Sequence, residues 1–320
     1  MHDPLNHTQI ALDVELAAVF HAGMASIDEL RILIARLAAR DSLPSSRTKG
    51  MTVFSTGQVT EPLGTMAEPA FALVAQGAKR TVLGDRIYEY HAGQYLVTAV
   101  DLPLTAQITA ASPAEPFLAF GLPLRPSVIA QLLLDAGPMA EQADAGSGIV
   151  TSDANDALLD AVVRLLRLVD RPQDFAVLAQ AHEREIHWRL MTGPQGTAVR
   201  QLGLADSRLS LVSHAIRWLQ ARYDQVIRID ELAHDIGTSV SSLNRHFRAV
   251  TAMSPLQYQK RIRLQKARIQ LIANPTDIAA IGYNVGYDSP SQFSREYRRM
   301  FGAPPVQDAA RLQTLTTYEI

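Results

Sequence analysis

The sequence predicts a two-domain α+β protein, β-rich in its first part and entirely helical in its last third. Three observations carry that prediction. Short apolar runs split by turn residues occupy Met51 to about Leu122. Helical periodicity takes over after Pro126. The segment beginning at Ile229 then recurs, beginning at Ile278, which marks an internal duplication.

The elements follow in order. Ser26 and Glu29 have capping-box spacing, and Leu30, Leu33, Ile34 and Leu37 form one stripe, so a helix is expected from Ser26 to Ala39. Asp41 to Gly50, polar with Pro, Ser and Gly, is a loop by composition. Strand runs follow at Phe71-Ala-Leu-Val-Ala-Gln, Thr81-Val-Leu, Arg86-Ile-Tyr-Glu-Tyr, Tyr95-Leu-Val-Thr-Ala-Val, Leu104-Thr-Ala-Gln-Ile-Thr and Phe117-Leu-Ala-Phe. Such short strands at regular spacing argue for an all-β sandwich or barrel. Val128 to Leu134 is a helical segment, and Asp135 to Gly148 a small-residue loop. Leu158, Leu159, Val162, Val163, Leu165, Leu166 and Val169 mark an amphipathic helix, and another spans Phe175 to Leu190. Gly193-Pro194 ends it, because proline has no N–H to donate. The stretch up to Asp206 is a connector, with stripes wide enough to pack on a partner subunit.

Charge divides the 320-residue chain at the same place. From Ser207 onward there are 15 Lys and Arg against 9 Asp and Glu, a net of +6. The totals of 30 and 32 leave 15 against 23 before it, a net of −8. A basic part can find phosphate, whereas an acidic part is poorly suited to that task.

The duplicated segment has the parts of a helix-turn-helix. Ser239-Val-Ser-Ser-Leu-Asn-Arg-His-Phe-Arg aligns with Ser289-Pro-Ser-Gln-Phe-Ser-Arg-Glu-Tyr-Arg at an offset of 50. Upstream, Ile229-Asp-Glu-Leu-Ala-His-Asp-Ile-Gly aligns with Ile278-Ala-Ala-Ile-Gly-Tyr-Asn-Val-Gly at 49. Gly237 and Gly286 stand where a tight turn needs positive φ. Ser239 and Ser289 (or Asp288) suit the N-cap of the second helix in each copy. Leu243, Phe247 and Val250 bury one stripe of that helix, leaving Ser241, Arg245 and Arg248 opposite, with Asn244 beside them. The second copy presents Ser291, Arg295 and Arg298, flanked by Gln292 and Ser294.

Those outward residues suit base edges, since arginine can grip guanine with two hydrogen bonds and Asn or Gln can do so with adenine. Arg248, Lys260, Arg298 and Arg299 are assigned to phosphate, which positions a protein on DNA without selecting sequence. Between the units, Pro255 to about Ala273 is one long helix. Tyr258, Ile262 and Ile269 lie on one side, with Lys260, Arg261, Arg263, Lys266 and Arg268 elsewhere. Such a spacer can set two recognition helices in successive major-groove turns, roughly 34 Å apart.

Several classes are excluded. With no cysteine, the chain has neither disulfides nor zinc-thiolate sites nor thiol redox sensing. The β region offers His91 alone, no His-x-His occurs, and His182 and His187 are wrongly spaced for a shared metal face. No Gly-rich phosphate loop or nucleophile elbow appears. The expectation is a protein without enzymatic activity, metal or cofactor. No apolar run could span a bilayer, and Met1-His2-Asp3-Pro4 lacks the layout of a secretory signal, so a cytoplasmic location is expected.

The stretch Gly286-Tyr-Asp-Ser-Pro-Ser-Gln-Phe-Ser-Arg-Glu-Tyr-Arg-Arg-Met-Phe-Gly-Ala-Pro-Pro resembles the second-unit signature of the AraC/XylS transcription regulators. Ser254-Pro-Leu-Gln-Tyr-Gln-Lys-Arg-Ile-Arg-Leu-Gln-Lys-Ala-Arg is similar to that family's linker helix, and the resemblance runs from about Leu209 to Val306. Val74-Ala-Gln-Gly-Ala-Lys-Arg-Thr-Val-Leu-Gly-Asp, Tyr95-Leu-Val-Thr-Ala-Val-Asp-Leu-Pro and Ala111-Ser-Pro-Ala-Glu-Pro-Phe-Leu-Ala resemble the cupin-like sensor domain of one subgroup. The resemblance implies a cupin-like β-barrel with flanking helices over 1–206, for effector sensing or dimerisation. It implies an all-α domain of two helix-turn-helix units joined by a linker helix over 207–320. It implies double-stranded DNA, RNA polymerase, a small-molecule effector and a second copy of the chain as partners, with activation as the role. It also implies that Ser241, Asn244, Arg245, Ser291, Gln292 and Arg295 approach base edges. Pro290 departs from the polar residue often found there and is given no base contact. An effector sensor and a constitutive DNA binder whose β domain only dimerises are both compatible with the residues, as is, more remotely, a metal-free cupin enzyme fused to a DNA-binding domain.

Overall fold

A computed structural model describes residues 27–39, 50–137, 147–205, 207–273 and 277–317. Helix α1 (Ile27–Ala38) precedes eight strands: β1 (Thr52–Thr56), β2 (Leu63–Ala67), β3 (Ala70–Gln76), β4 (Ala78–Leu83), β5 (Arg86–His91), β6 (Gln94–Thr98), β7 (Leu102–Ala110) and β8 (Phe117–Pro123). Helix α2 (Pro126–Ala136), strand β9 (Ile149–Asp153), and helices α3 (Asp156–Leu168), α4 (Pro172–Thr192) and α5 (Gly196–Leu202) complete the first part. The remainder is α6 (Arg208–Ala221), α7 (Ile229–Asp235), α8 (Val240–Thr251), α9 (Pro255–Ala273), α10 (Ile278–Asn284), α11 (Pro290–Phe301) and α12 (Pro305–Thr317). The two-domain α+β architecture is thus present.

The strands form two antiparallel sheets, ordered β1-β8-β3-β6-β9 and β2-β7-β4-β5. The central strands of the five-stranded sheet, β3, β6 and β8, are buried on both faces. From β3, β6 and β8, the side chains of Phe71, Leu73, Tyr95, Val97, Leu118, Phe120 and Leu122 join a core with α1, α3 and α4. The alternate residues Val74, Leu96 and Phe117 point the other way and join Leu83, Leu104 and Ile108 of the second sheet. Successive side chains of a strand face opposite sides, so burying both faces requires an unbroken apolar run. That is why Phe71-Ala-Leu-Val-Ala lacks the polar alternation of a half-exposed strand. Edge-to-face contacts of Phe71 with Tyr95 and Phe120, at centroid distances of 5.3 and 6.2 Å, fill the layer under the helices.

Some elements differ from the expectation. Strands β1, β2 and β9 carry no strong apolar alternation, and tertiary pairing makes them strands. β9 takes its place by pairing with β6 from Gln94↔Asp153 to Thr98↔Ile149. The connector holds the short helix α5 after Gly193. Ser26 and the expected loop up to residue 49 lie outside the described residues, as do 138–146 of the second loop. Among the described residues no helix is long and apolar enough to cross a membrane.

A buried polar clamp ties α4 to the strand layer. His187 is fully buried; its Nε2 accepts from the Arg125 backbone N–H (3.1 Å) while Nδ1 sits 2.7 Å from the Glu183 carbonyl. Arg125 also pairs with the buried Glu183 carboxylate at 3.2 Å. Nδ1 therefore donates and Nε2 accepts, which only a neutral imidazole can do. Burial pushes the ring's pKa below its ordinary 6.5, and the Arg125 charge adds to that, against the hydrogen bond to Glu183. The unfolded chain binds this proton more readily, so the contribution is intact above about pH 6.5 and is lost as pH falls below it. Denaturant melts at about pH 7.5 and about pH 5.5 should show lower stability in acid, and His187→Asn should shrink the difference. An unchanged difference would show that the imidazole is not held neutral.

Candidate nucleic-acid interface

Helices α7 and α8 form one helix-turn-helix unit, and α10 and α11 the other. Each turn carries its glycine at positive φ, +72° at Gly237 and +90° at Gly286. At Gly286 packing also forbids a side chain, since a Cβ would lie 2.2 Å from the Asp224 carbonyl oxygen. The caps differ between copies. Ser239 accepts from the Ser242 N–H at 3.2 Å, as expected. Ser289 holds the cap position of α11, but its hydroxyl pairs with Ser291 Oγ at 2.8 Å and caps no backbone N–H. Pro290 at the first helical position begins that helix instead, its fixed φ suiting it to the role.

Burial separates the two faces of each recognition helix. On α8, Leu243, Phe247 and Val250 are buried while Ser241, Asn244, Arg245 and Arg248 are exposed. On α11, Phe293 and Tyr297 are buried while Ser291, Gln292, Arg295, Arg298 and Arg299 are exposed. Ser241 Oγ lies 3.2 Å from the Ser239 Oγ of the cap, and Gln292 Nε2 donates to Glu296 at 3.4 Å.

The two helices border a common hollow of about 940 Å³. Arg245 and Arg248 line it from α8, Lys260 and Arg261 from α9, and Glu296 and Arg299 from α11. Ser241, Asn244, Ser291, Gln292, Arg295 and Arg298 stand outside the hollow. Lys260 is committed to Glu296, Nζ to Oε1 at 2.9 Å. Burial opposes ionisation of that carboxyl, but hydrogen bonds from Lys260, Tyr287 and Gln292 outweigh it and hold its pKa below the usual value.

The spacer α9 positions both units, and its polar residues are largely internal. Arg263, set by periodicity off the side of Tyr258 and Ile262, is a cross-link. It donates to the carbonyls of Tyr223 (2.6 Å), Gln225 (2.7 Å) and Gly286 (2.6 Å), joining the end of α6 to the turn of the second unit. Arg268 is buried in a two-bond pair with Asp308, at 2.8 and 3.1 Å, and Tyr297 donates to the same carboxylate at 2.8 Å. Its guanidinium lies over the Phe301 ring, 4.5 Å from the centroid. Ile269 is 64% exposed and does not share the buried side with Tyr258 and Ile262. These departures have one cause. Partners surround the helix on several sides, so no single stripe describes its burial.

The family model for the AraC-type transcriptional regulator N-terminus matches residues 47–198, and a helix-turn-helix domain model matches residues 232–311. The chain belongs to the AraC/XylS family. Named relatives are regulators of transcription rather than enzymes. The HTH-type transcriptional regulator ArgR of Pseudomonas aeruginosa is 26% identical over 159 residues, 50% of this chain and 47% of ArgR. The HTH-type transcriptional activator RhaS of Escherichia coli is 26% identical over 153 residues, 47% of this chain and 54% of RhaS. The chain thus spans about half the length of the curated relatives it matches. Apo ToxT of Vibrio cholerae shares the fold, with a TM-score of 0.53, 9% identity, and coverage of 82% of this chain and 98% of that one.

Within this family member the Arg268–Asp308 pair should matter for stability, because removing one partner strands a buried charge. Asp308→Ala should lower unfolding stability by about 3–5 kcal/mol in a urea melt. A loss well under about 1 kcal/mol would mean that solvent reaches the pair.

Proposed function

We propose that the chain is a sequence-specific regulator of transcription that reads double-stranded DNA with α8 and α11 together. The observation that carries this reading is the repeated exposed stripe, Ser241/Arg245 and Ser291/Arg295, on two helices flanking one basic hollow. Ser241, Asn244 and Arg245 read bases in one half-site, and Ser291, Gln292 and Arg295 in the next. Arg248, Arg298 and Arg299 hold phosphate. Lys260 reaches phosphate only by leaving Glu296, so its share of binding is the smallest of the four. Residues 1–206 form the sensing and dimerisation domain and 207–320 the DNA-binding domain. The chain acts as a homodimer in the cytoplasm, as an activator that contacts RNA polymerase.

A small molecule bound to the N-terminal domain modulates this activity. ToxT has been crystallised with an unsaturated fatty acid, which supports ligand control on a shared fold. Such control requires that the ligand favour one DNA-binding state over the other, and the effect on the two affinities is reciprocal. Calorimetric screening of the full chain tests it. A hit must also change DNA affinity, and binding that leaves DNA affinity untouched would reduce the β domain to a dimerisation module.

The DNA reading is tested with a duplex enriched by the full chain from a random-sequence library. Arg245→Ala or Arg295→Ala should cost about 1–3 kcal/mol on that duplex and relax base choice at one position. Arg298→Ala should weaken binding to all duplexes alike and reduce the salt dependence. If Arg295→Ala left affinity and base choice unchanged in a gel-shift titration, α11 would not be reading bases.

A further inference from the structure

The hollow between the recognition helices is not built from the C-terminal part alone. The tip of the β4–β5 hairpin forms one of its walls, through Gly84, Asp85 and Arg86. Leu83 pairs with Arg86, so Gly84 and Asp85 make a two-residue turn. The tip is seated against the end of α8. A Cβ on Gly84 would lie 3.1 Å from the Ala252 carbonyl oxygen, and Ala252 is the left-handed residue that terminates α8.

Further bonds fix the hairpin's domain against the reading units. The Gly148 N–H donates to the Val250 carbonyl at 2.9 Å. Tyr258 donates to the Asp101 carbonyl at 2.7 Å, Arg261 to Pro103 at 3.3 Å and Gln265 to Thr65 at 3.0 Å. Arg86 is therefore held at the rim of the hollow by a rigid base, and its side chain is exposed.

We propose that Arg86 of the β domain belongs to the DNA-contacting surface, where it pairs with a backbone phosphate of a duplex crossing the hollow from one recognition helix to the other. The proposal rests on the DNA reading above. A duplex engaged by both α8 and α11 must pass over the space between them, and what it presents there is phosphate. The charges suit that occupant. Lys260 neutralises Glu296 internally, while Arg86, Arg248 and Arg299 have no ion pair among the described residues, against Asp85 alone. Three cations of different elements on one rim match a line of negative charge better than a compact anion, which would need them converging on one point. The β domain thereby contributes to DNA affinity directly, and any shift of the hairpin relative to α8 changes that affinity.

The test uses the full chain and fluorescence anisotropy on two duplexes of about 30 base pairs, spanning both half-sites. One has mixed sequence and the other is enriched by the wild-type protein from a random library. Arg86→Ala should weaken binding to both several-fold and reduce the slope of log affinity against log salt by about 1. Arg86→Lys should restore most of the loss, and a thermal melt should show the fold intact, since Arg86 is exposed. Arg295→Ala, measured in parallel, should instead erode discrimination between the two duplexes. An unchanged slope for Arg86→Ala, or tighter binding, overturns the proposal while an effect of Arg295→Ala leaves the DNA reading standing. If Arg295→Ala also left discrimination unchanged, the DNA reading would fall, and this proposal with it.

Discussion

The arrangement depends on α9 being held from several sides at once. A helix hydrophobic all round would normally be needed for such burial. Here polar residues substitute, because each finds an internal partner: Gln259 on the carbonyls of Tyr223 and Gln225, Arg263 on three carbonyls, Arg268 on Asp308. Buried polar groups cost stability unless hydrogen-bonded, so these residues specify one placement of the helix and disfavour others. Tyr258 shows the same logic in one side chain. Its ring packs edge-on against Phe247 at 5.4 Å, and its hydroxyl reaches across to Asp101 in the β domain.

The two copies of the duplicated unit are embedded differently. The first shares a core with the β domain, where Phe247, Val250 and Tyr258 join Leu83, Val100 and Leu104 in one buried cluster. The second has a small core of its own around Phe293, Tyr297, Leu264 and Leu271. The β domain therefore packs directly into the core around α8, and meets α11 through α9 and at Phe301, whose ring a Cβ on Gly64 of β2 would approach to 3.2 Å. Coupling between such parts travels through packed side chains that move together.

Much of the interface was legible in the chain. A helical stripe at three- and four-residue spacing separates buried from exposed residues without reference to anything beyond the helix, which is why Leu243 and Phe247 point inward and Ser241 and Arg245 outward. The turn glycines were legible for the same reason, since the demand for positive φ is local. Where several elements meet, that local logic fails. Periodicity grouped Arg263 and Arg268 with the other cations of α9, and Ile269 with Tyr258 and Ile262. Arg86 reads as the first residue of an ordinary strand. Only pairing across roughly 160 residues of chain separation, as between Arg261 and Pro103, brings that hairpin to the recognition helices.

Taken by itself, the sequence determined the elements and their faces: the doubled helix-turn-helix, its outward arginines, the apolar strand runs and the division of charge. These follow from backbone sterics and from the period of each element. The tertiary structure decided which cations stay exposed and which are consumed in holding the molecule together. That distinction depends on distance to a partner far away in the chain. An arginine 2.8 Å from a buried carboxylate and one at an open rim have the same chemistry and different surroundings.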